Sequence, residues 1–94
     1  MIGRQVIVRT YSAGVHFGTL LTFEGKQVVL ESARRIWYWE GAFTLNAVAT
    51  QGVNKKSKLS VAVPEILLTE AIEIIPCSEA AAKILSEMPA HESK

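Results

Sequence analysis

The sequence predicts an α+β fold: a small antiparallel β-meander, partly barrel-like, with one short internal helix and a C-terminal helix. Three observations predict it. The first forty residues are rich in β-branched and aromatic side chains, with clear period-two alternation in one stretch. A capped apolar segment follows, and a second capped segment with helical periodicity lies near the C-terminus. Ninety-four residues, 49% of them hydrophobic, make one domain, placed at 1–89 with a frayed tail at 90–94.

Turn residues separate the apolar runs of the meander. Gly14 lets the chain turn at 12–14, and a tight turn at 24–26 closes a hairpin. A bend or bulge near Ser32 interrupts the next run without ending it. The predicted strands of this region are residues 6–11, 15–23, 27–31 and 33–39.

The first helix is predicted between Thr44 as N-cap and Gly52 just beyond its end. Phe43, which precedes the cap, is expected to pack on Val48 as a hydrophobic staple. The basic loop 54–58 follows and is read as a solvated loop.

The C-terminal part alternates short strands with one helix. Residues 59–63 read as a strand stopped by Pro64, and the segment 66–75 is ambiguous between a helical turn and a strand. We favour a strand over 71–75, ended by Pro76. The last helix is capped by Ser78 and closed by Pro89, and its apolar stripe comprises Ala81, Ile84, Leu85 and Met88.

Composition restricts the partners and the compartment. A short chain with this much apolar surface is expected to form a homo-oligomer, the alternative being a compact monomer with some exposed aromatic side chains. The net charge of +1 makes nucleic acid an improbable partner. The single cysteine, Cys77, fits a reducing compartment, and neither a signal peptide nor a membrane span is expected. We therefore expect a cytoplasmic protein.

The catalytic signatures of common enzymes are missing from the sequence. It has no aspartate and two histidines, His16 and His91, of which the second falls in the expected tail. Spacings typical of metal ligands, a P-loop, a dinucleotide fingerprint and a nucleophile elbow are all missing. We therefore predict a binding protein rather than an enzyme, with no cofactor and no metal.

The segment 33–39 is the strongest indication of a binding surface. Arg34 and Arg35 precede Trp37, Tyr38 and Trp39, so that both tryptophans of the chain lie within three residues. In an extended strand Trp37 and Trp39 would face one side and Tyr38 the other. Rings beside guanidinium groups suit a planar anionic ligand, since bases stack and phosphates pair with arginine. An aromatic subunit interface with an arginine rim is the equally weighted alternative.

The segment 11–16 could add polar contacts to such a site. The turn around Ser12 and Gly14 can direct backbone N–H groups and a hydroxyl toward an anion. Tyr11 and His16 flank the turn and could stack on a ligand or donate to it. A histidine with a purely structural role in the strand is the other interpretation of His16.

Four segments together resemble a widespread family of short bacteriophage proteins known as a domain of unknown function. They are residues 8–16 (VRTYSAGVH), 33–39 (ARRIWYW), 65–70 (EILLTE) and 74–77 (IIPC). The chain is also similar in character to phage anti-defence sponge proteins, small oligomers that sequester the cyclic nucleotide signals of CBASS-type bacterial immunity without cleaving them. That resemblance implies a phage protein acting in the cytoplasm of the host bacterium, with a cyclic nucleotide, most readily a cyclic dinucleotide, as its ligand.

The residues and the resemblance lead to one expected function. We expect sequestration of a cyclic nucleotide in a pocket near a subunit interface. Two alternatives remain: a protein-binding inhibitor of a host factor that uses the aromatic strand, and a single-stranded nucleic-acid binder. The expected ligand-binding residues are Tyr11, Ser12, Gly14, His16, Arg34, Arg35, Trp37 and Trp39.

Overall fold

The computed structural model describes residues 1–90. It confirms the α+β fold class, with six strands and two helices in this part of the chain. The elements are β1 (Gln5–Thr10), β2 (Val15–Glu24), β3 (Gln27–Tyr38), α1 (Leu45–Gln51), β4 (Lys58–Leu59), β5 (Val63–Leu68), β6 (Ala71–Pro76) and α2 (Glu79–Glu87).

All six strands belong to one antiparallel sheet. Its order is β4-β3-β2-β1-β6, and β5 pairs with the first half of β3 on the same edge as β4. β5 and β6 therefore lie at opposite edges, although only Thr69 and Glu70 separate them in sequence. Such a short connection requires the sheet to curl until its two edges approach each other.

The curl brings the tip of the β2–β3 hairpin against the start of β6. The Ala71 backbone N–H donates to the Lys26 carbonyl oxygen at 3.0 Å. On the other side of the same connection, the Tyr11 N–H donates to the Glu70 carbonyl oxygen at 2.9 Å. The strand ladder stays open within residues 1–90, but these two bonds fasten the hairpin tip, the end of β1 and the β5–β6 connection together.

The sheet buries apolar side chains on both faces. One cluster lies between the sheet and the two helices and includes Ile7, Phe17 and Leu85, all nearly inaccessible to solvent. The second cluster consists of strand residues alone, among them Val8 and Leu20. Because β1 contributes to both clusters, its β-branched run shows no alternation of polar and apolar residues.

A bulge bends β3 at the position that the sequence indicates. Ser32 has a φ of 52°, in the left-handed region, and the β2–β3 register shifts between Phe17 and Thr19. Gly18 lies inside the shift, where a Cβ atom would come within 3.0 Å of the Glu31 carbonyl oxygen. Close backbone approach therefore favours glycine on β2, while β3 absorbs the extra residue.

Both helices begin at their predicted caps. The Thr44 hydroxyl accepts a hydrogen bond from the Ala47 N–H, and the Ser78 hydroxyl accepts one from the Ala81 N–H. The expected staple is wrong, however, because the Phe43 side chain is fully exposed while Val48 is fully buried. Gly41, two residues before Phe43, has a φ of 92°, so the chain bends just before the cap.

Two boundaries in the C-terminal half differ from expectation. Pro64 does not stop a strand but lies within β5, which tolerates it because β5 is an edge strand. The expected strand over 59–63 is correspondingly split between β4 and β5. The segment favoured as a strand forms β6, as predicted. Of the expected tail, Ala90 forms a parallel bridge with Leu59, and residues 91–94 lie outside the described part of the chain.

Candidate functional site

The two adjacent arginines occupy different environments. Arg34 is 6% exposed, and its guanidinium donates to the Ser60 and Leu85 carbonyl oxygens, each at 2.8 Å, and to Ser86 at 3.4 Å. Burial lowers the pKa of Arg34 from its ordinary value. Its donors are engaged with main-chain carbonyls of the 60–62 loop and of the last turn of α2, where helix carbonyls lack intrahelical partners. The structure therefore gives Arg34 a structural position.

Arg35 lies on the other face of β3 and is exposed. Its cross-strand neighbour is His16, which in turn pairs with Val8 on β1. His16 is 1% exposed, and its Nε2 lies 3.0 Å from the Ala13 carbonyl oxygen. Burial is the main cause that lowers the His16 pKa, the Ala13 contact opposes it, and the Arg35 charge lowers it further. His16 thus lies beneath the turn 12–14 and supports it, while Arg35 remains accessible.

A second bulge rearranges the aromatic segment. Ile36 pairs with Leu59 and Tyr38 with Lys58, so β3 advances two residues where β4 advances one. The Lys58 ammonium lies 5.3 Å from the Trp37 ring centroid and 5.8 Å from that of Tyr38, within the range of cation–π interactions. Trp37 and Tyr38 therefore both approach the same ammonium group, although simple alternation would place them on opposite sides of the strand.

Trp39 does not lie on the exposed surface where the sequence predicts it. It is partly buried and packs against the apolar cluster beneath the helices. Trp37 and Tyr38 are 46% and 43% exposed, respectively, and the Tyr38 hydroxyl donates to the Glu40 carboxylate, which raises the Tyr38 pKa. Three exposed residues of β3 and the half-buried Lys58 of β4 form what we call the aromatic–basic surface: Arg35, Trp37, Tyr38 and Lys58.

The turn between β1 and β2 is held by its own side chains. The Thr10 hydroxyl donates to the Gly14 carbonyl and accepts from the Ala13 N–H, and Gly14 has a φ of 87°. Ser12 Oγ donates to Glu70 Oε1 at 2.7 Å. The pairing of Val15 with Ile36 puts this turn at the same end of the sheet as Trp37.

Tyr11, in contrast, contributes to a separate cavity. The cavity has a volume of about 660 Å³ and is lined by Tyr11, Gly25, Lys26, Glu70, Ala71 and Ile72. We call it the Tyr11 cavity. It lies where the hairpin tip meets the start of β6, and the Tyr11 side chain is 79% exposed.

The structure therefore divides the residues predicted from the sequence into three groups. Arg35 and Trp37 belong to the aromatic–basic surface, and Tyr11 and Ser12 lie at or beside the Tyr11 cavity. Gly14 shapes the turn between them, and Arg34, Trp39 and His16 are buried or partly buried. Sequence reasoning missed Lys58, Glu70 and Ile72, because each approaches its site through contacts between distant segments. It missed Lys26 because the predicted hairpin turn does not reveal that its tip meets the start of β6.

The remaining reactive groups offer little chemistry. Burial raises the pKa of the Cys77 thiol to about 11, against an opposing effect of Arg4, so the thiol stays protonated at neutral pH. Within residues 1–90, no three histidine, cysteine or acidic side chains are grouped closely enough to bind a metal ion. In the same part of the chain, neither helix is both long and apolar enough to cross a bilayer.

Comparison with known proteins identifies one family. Residues 3–85 match the family described as Domain of unknown function (DUF6948), which covers most of the chain and both candidate surfaces. Neither the curated proteins nor the solved structures contain a significant match. By the extent of the family match, the chain belongs to the DUF6948 family.

Proposed function

We propose that this protein is a phage-encoded, non-enzymatic sponge that binds a cyclic nucleotide signal on its aromatic–basic surface. The observation that carries the proposal is the position of the Lys58 ammonium over two exposed rings. Arg35 lies two residues before Trp37 on the same strand and is also exposed. Two exposed rings and a cation on β3, with a second cation on the paired strand β4, match the chemistry of a base joined to a phosphate.

The chemistry of binding follows from these groups. A base that stacks on Trp37 would displace the Lys58 ammonium from the ring face, and the freed ammonium could then pair with a phosphate oxygen. The Arg35 guanidinium can offer two parallel N–H donors to the same or a second phosphate. Displacement would therefore exchange a cation–π contact for a stacking contact and an ion pair.

The affinity required of a sponge favours a second subunit. A nanomolar constant corresponds to about −12 kcal/mol, whereas stacking supplies roughly 1–3 kcal/mol per base. An open surface leaves phosphate contacts in water, where they are weak, and a facing protomer would exclude that water. Exposed Phe43, Val61 and Leu67 side chains, which lie outside the Tyr11 cavity, support assembly, because such apolar area is commonly covered in an oligomer.

A binding screen tests the function. Isothermal titration with cyclic mono-, di- and trinucleotides should give a micromolar or tighter constant for at least one of them. Arg35→Ala and Lys58→Ala should each weaken that binding about tenfold or more. Lys83→Ala, which removes an equal charge from the exposed side of α2, should not. Chromatography of released ligand should recover it unchanged, and a chemically altered product would make the protein an enzyme.

The alternatives have different outcomes in the same screen. If no cyclic nucleotide binds the wild-type protein, the sponge function is wrong. Loss of host-factor binding in a Trp37→Ala variant would then support the protein-binding inhibitor. Affinity for an oligonucleotide that falls steeply with added salt would support the single-strand binder instead.

A further inference from the structure

The Tyr11 cavity is formed by segments that are fixed to one another. The Tyr11 N–H bonds to the Glu70 carbonyl, and the Ala71 N–H bonds to the Lys26 carbonyl. The end of β1, the hairpin tip and the β5–β6 connection therefore keep a constant spacing around the cavity. Its volume of about 660 Å³ falls in the range of small-molecule sites.

Two side chains give the cavity apolar walls. Tyr11 is 79% exposed and Ile72 is 52% exposed, so the fold itself gains little from burying either. An aromatic ring and a branched aliphatic chain in the lining of one cavity suit a planar heterocycle as ligand. Enzymes that read an extruded base hold it in this way, by stacking between aromatic and apolar side chains.

The charged side chains of the cavity determine which hydrogen-bonding groups such a heterocycle needs. Ser12 Oγ donates to Glu70 Oε1 at 2.7 Å and so orients the carboxylate. An ionised carboxylate only accepts hydrogen bonds, and its two oxygens offer about four lone-pair sites, of which the serine uses one. The ligand edge that faces Glu70 must therefore consist of donors.

The second charged group is a cation. Lys26 lines the cavity and forms no ion pair with residues 1–90, in which Arg9 and Glu73 form the recorded salt bridge. An ammonium group without an ion-pair partner among residues 1–90, beside a site for a planar ring, suits a phosphate attached to that ring through a sugar.

We propose that the Tyr11 cavity is a nucleobase site selective for guanine. Among the common bases, guanine has two adjacent donors on its Watson–Crick edge, the N1–H and the exocyclic amine, and a carboxylate can accept both. Adenine offers that edge one donor group beside an acceptor nitrogen, which would face the carboxylate unfavourably. This inference rests on the proposed function, because it assumes that the ligand is a nucleotide, but it concerns a different set of residues from the aromatic–basic surface.

Two probes of equal charge test the selectivity. Titration calorimetry with cyclic di-GMP and cyclic di-AMP should give about tenfold or more tighter binding of cyclic di-GMP. Glu70→Gln should remove most of that preference, because the amide replaces one acceptor with a donor. Glu65→Gln, which removes the same charge from exposed β5, should keep it. Tyr11→Ala should weaken the binding of cyclic di-GMP by roughly 5- to 150-fold.

The site of binding is measured separately. Addition of cyclic di-GMP to ¹⁵N-labelled protein should shift the amide signals of Lys26, Glu70, Ala71 and Ile72. Equal affinity for the two dinucleotides, or a preference unchanged by Glu70→Gln, overturns the guanine site while leaving the sponge function intact. If no cyclic nucleotide binds at all, both the function and the site are wrong.

Discussion

The Arg34 guanidinium donates to the Leu85 carbonyl oxygen at 2.8 Å, across 51 residues of sequence. The same group also donates to the Ser60 carbonyl, so one buried side chain joins β3, the 60–62 loop and the end of α2. A positive charge at the C-terminus of a helix also interacts favourably with its dipole. Arg34 thus stabilises the fold while Arg35 remains exposed, a difference that the sequence alone does not reveal.

Arg34→Ala should lower the free energy of unfolding by about 3 kcal/mol. It removes a charged donor and leaves buried carbonyl oxygens without partners. Urea denaturation followed by circular dichroism measures the change. Arg35→Ala, which removes an equal charge from an exposed position, should cost less than about 0.5 kcal/mol and serves as the matched control. Equal losses in the two variants would contradict the structural position of Arg34.

His16 should make the protein less stable in mild acid. Its folded-state pKa is lowered by burial, so the unfolded chain binds the proton more tightly. The stabilising effect of neutral His16 is therefore complete above its unfolded pKa of about 6.5 and is lost as pH falls toward the lower folded pKa. The free energy of unfolding should rise with pH in this window, by up to about 1.4 kcal/mol per pH unit.

The comparison variants separate this effect from the titration of glutamates. His16→Gln should reduce the change in the free energy of unfolding between pH 5 and 7, as measured by urea denaturation at each pH. Phe43→Ser, a change at a fully exposed position without a titratable group, should leave the slope unchanged. If the free energy of unfolding of the wild-type protein does not change with pH in this range, His16 has the same proton affinity in the folded and unfolded states.

Gly18→Ala should destabilise the protein by about 1–3 kcal/mol. A Cβ atom at this position would lie 3.0 Å from the Glu31 carbonyl oxygen and 3.2 Å from the Ala33 Cα, and both are backbone atoms that cannot rotate away. Thermal denaturation measures the loss. Gly18→Val should cost more, because it adds two further carbon atoms to the same space. An alanine variant as stable as the wild type would mean that the β3 bulge moves freely.

Phe43→Ser should change the free energy of unfolding by less than about 0.5 kcal/mol, because the ring is fully exposed and its removal costs no buried apolar contact. Val48→Ala, at the buried position that the staple would have used, should cost about 2 kcal/mol. Urea denaturation of both variants makes the comparison. A large loss of free energy of unfolding in Phe43→Ser, without a loss in Val48→Ala, would mean that Phe43 does pack on the helix as a hydrophobic staple.

Local chemistry made much of the fold predictable. Thr44 and Ser78 satisfy N–H groups at helix starts by short-range hydrogen bonds, and the bulge at Ser32 interrupts an otherwise regular apolar pattern. The prediction that Pro64 ends a strand is wrong because proline, which has no backbone N–H, can occupy an edge strand. Whether a strand lies at the edge depends on the order of the whole sheet, which the local sequence does not reveal.

The candidate sites were less predictable because they depend on pairing between distant segments. Lys58 reaches Trp37 only because β4 pairs with the end of β3, and Glu70 reaches Ser12 across 58 residues. Alternation placed Trp37 and Tyr38 on opposite sides, and the bulge at the β4 pairing brought both to the same lysine.

The position of β1 in the sheet has a consequence for synthesis of the chain. Of the six strands described, β1 is made before the others, yet its second neighbour, β6, begins only at Ala71. Until then one side of the Val6, Ile7 and Val8 backbone has no strand to pair with, and an unpaired apolar strand is a template for association with other chains. A nascent or truncated chain that ends before Ala71 should therefore aggregate, and adding β6 as a separate peptide should suppress that aggregation.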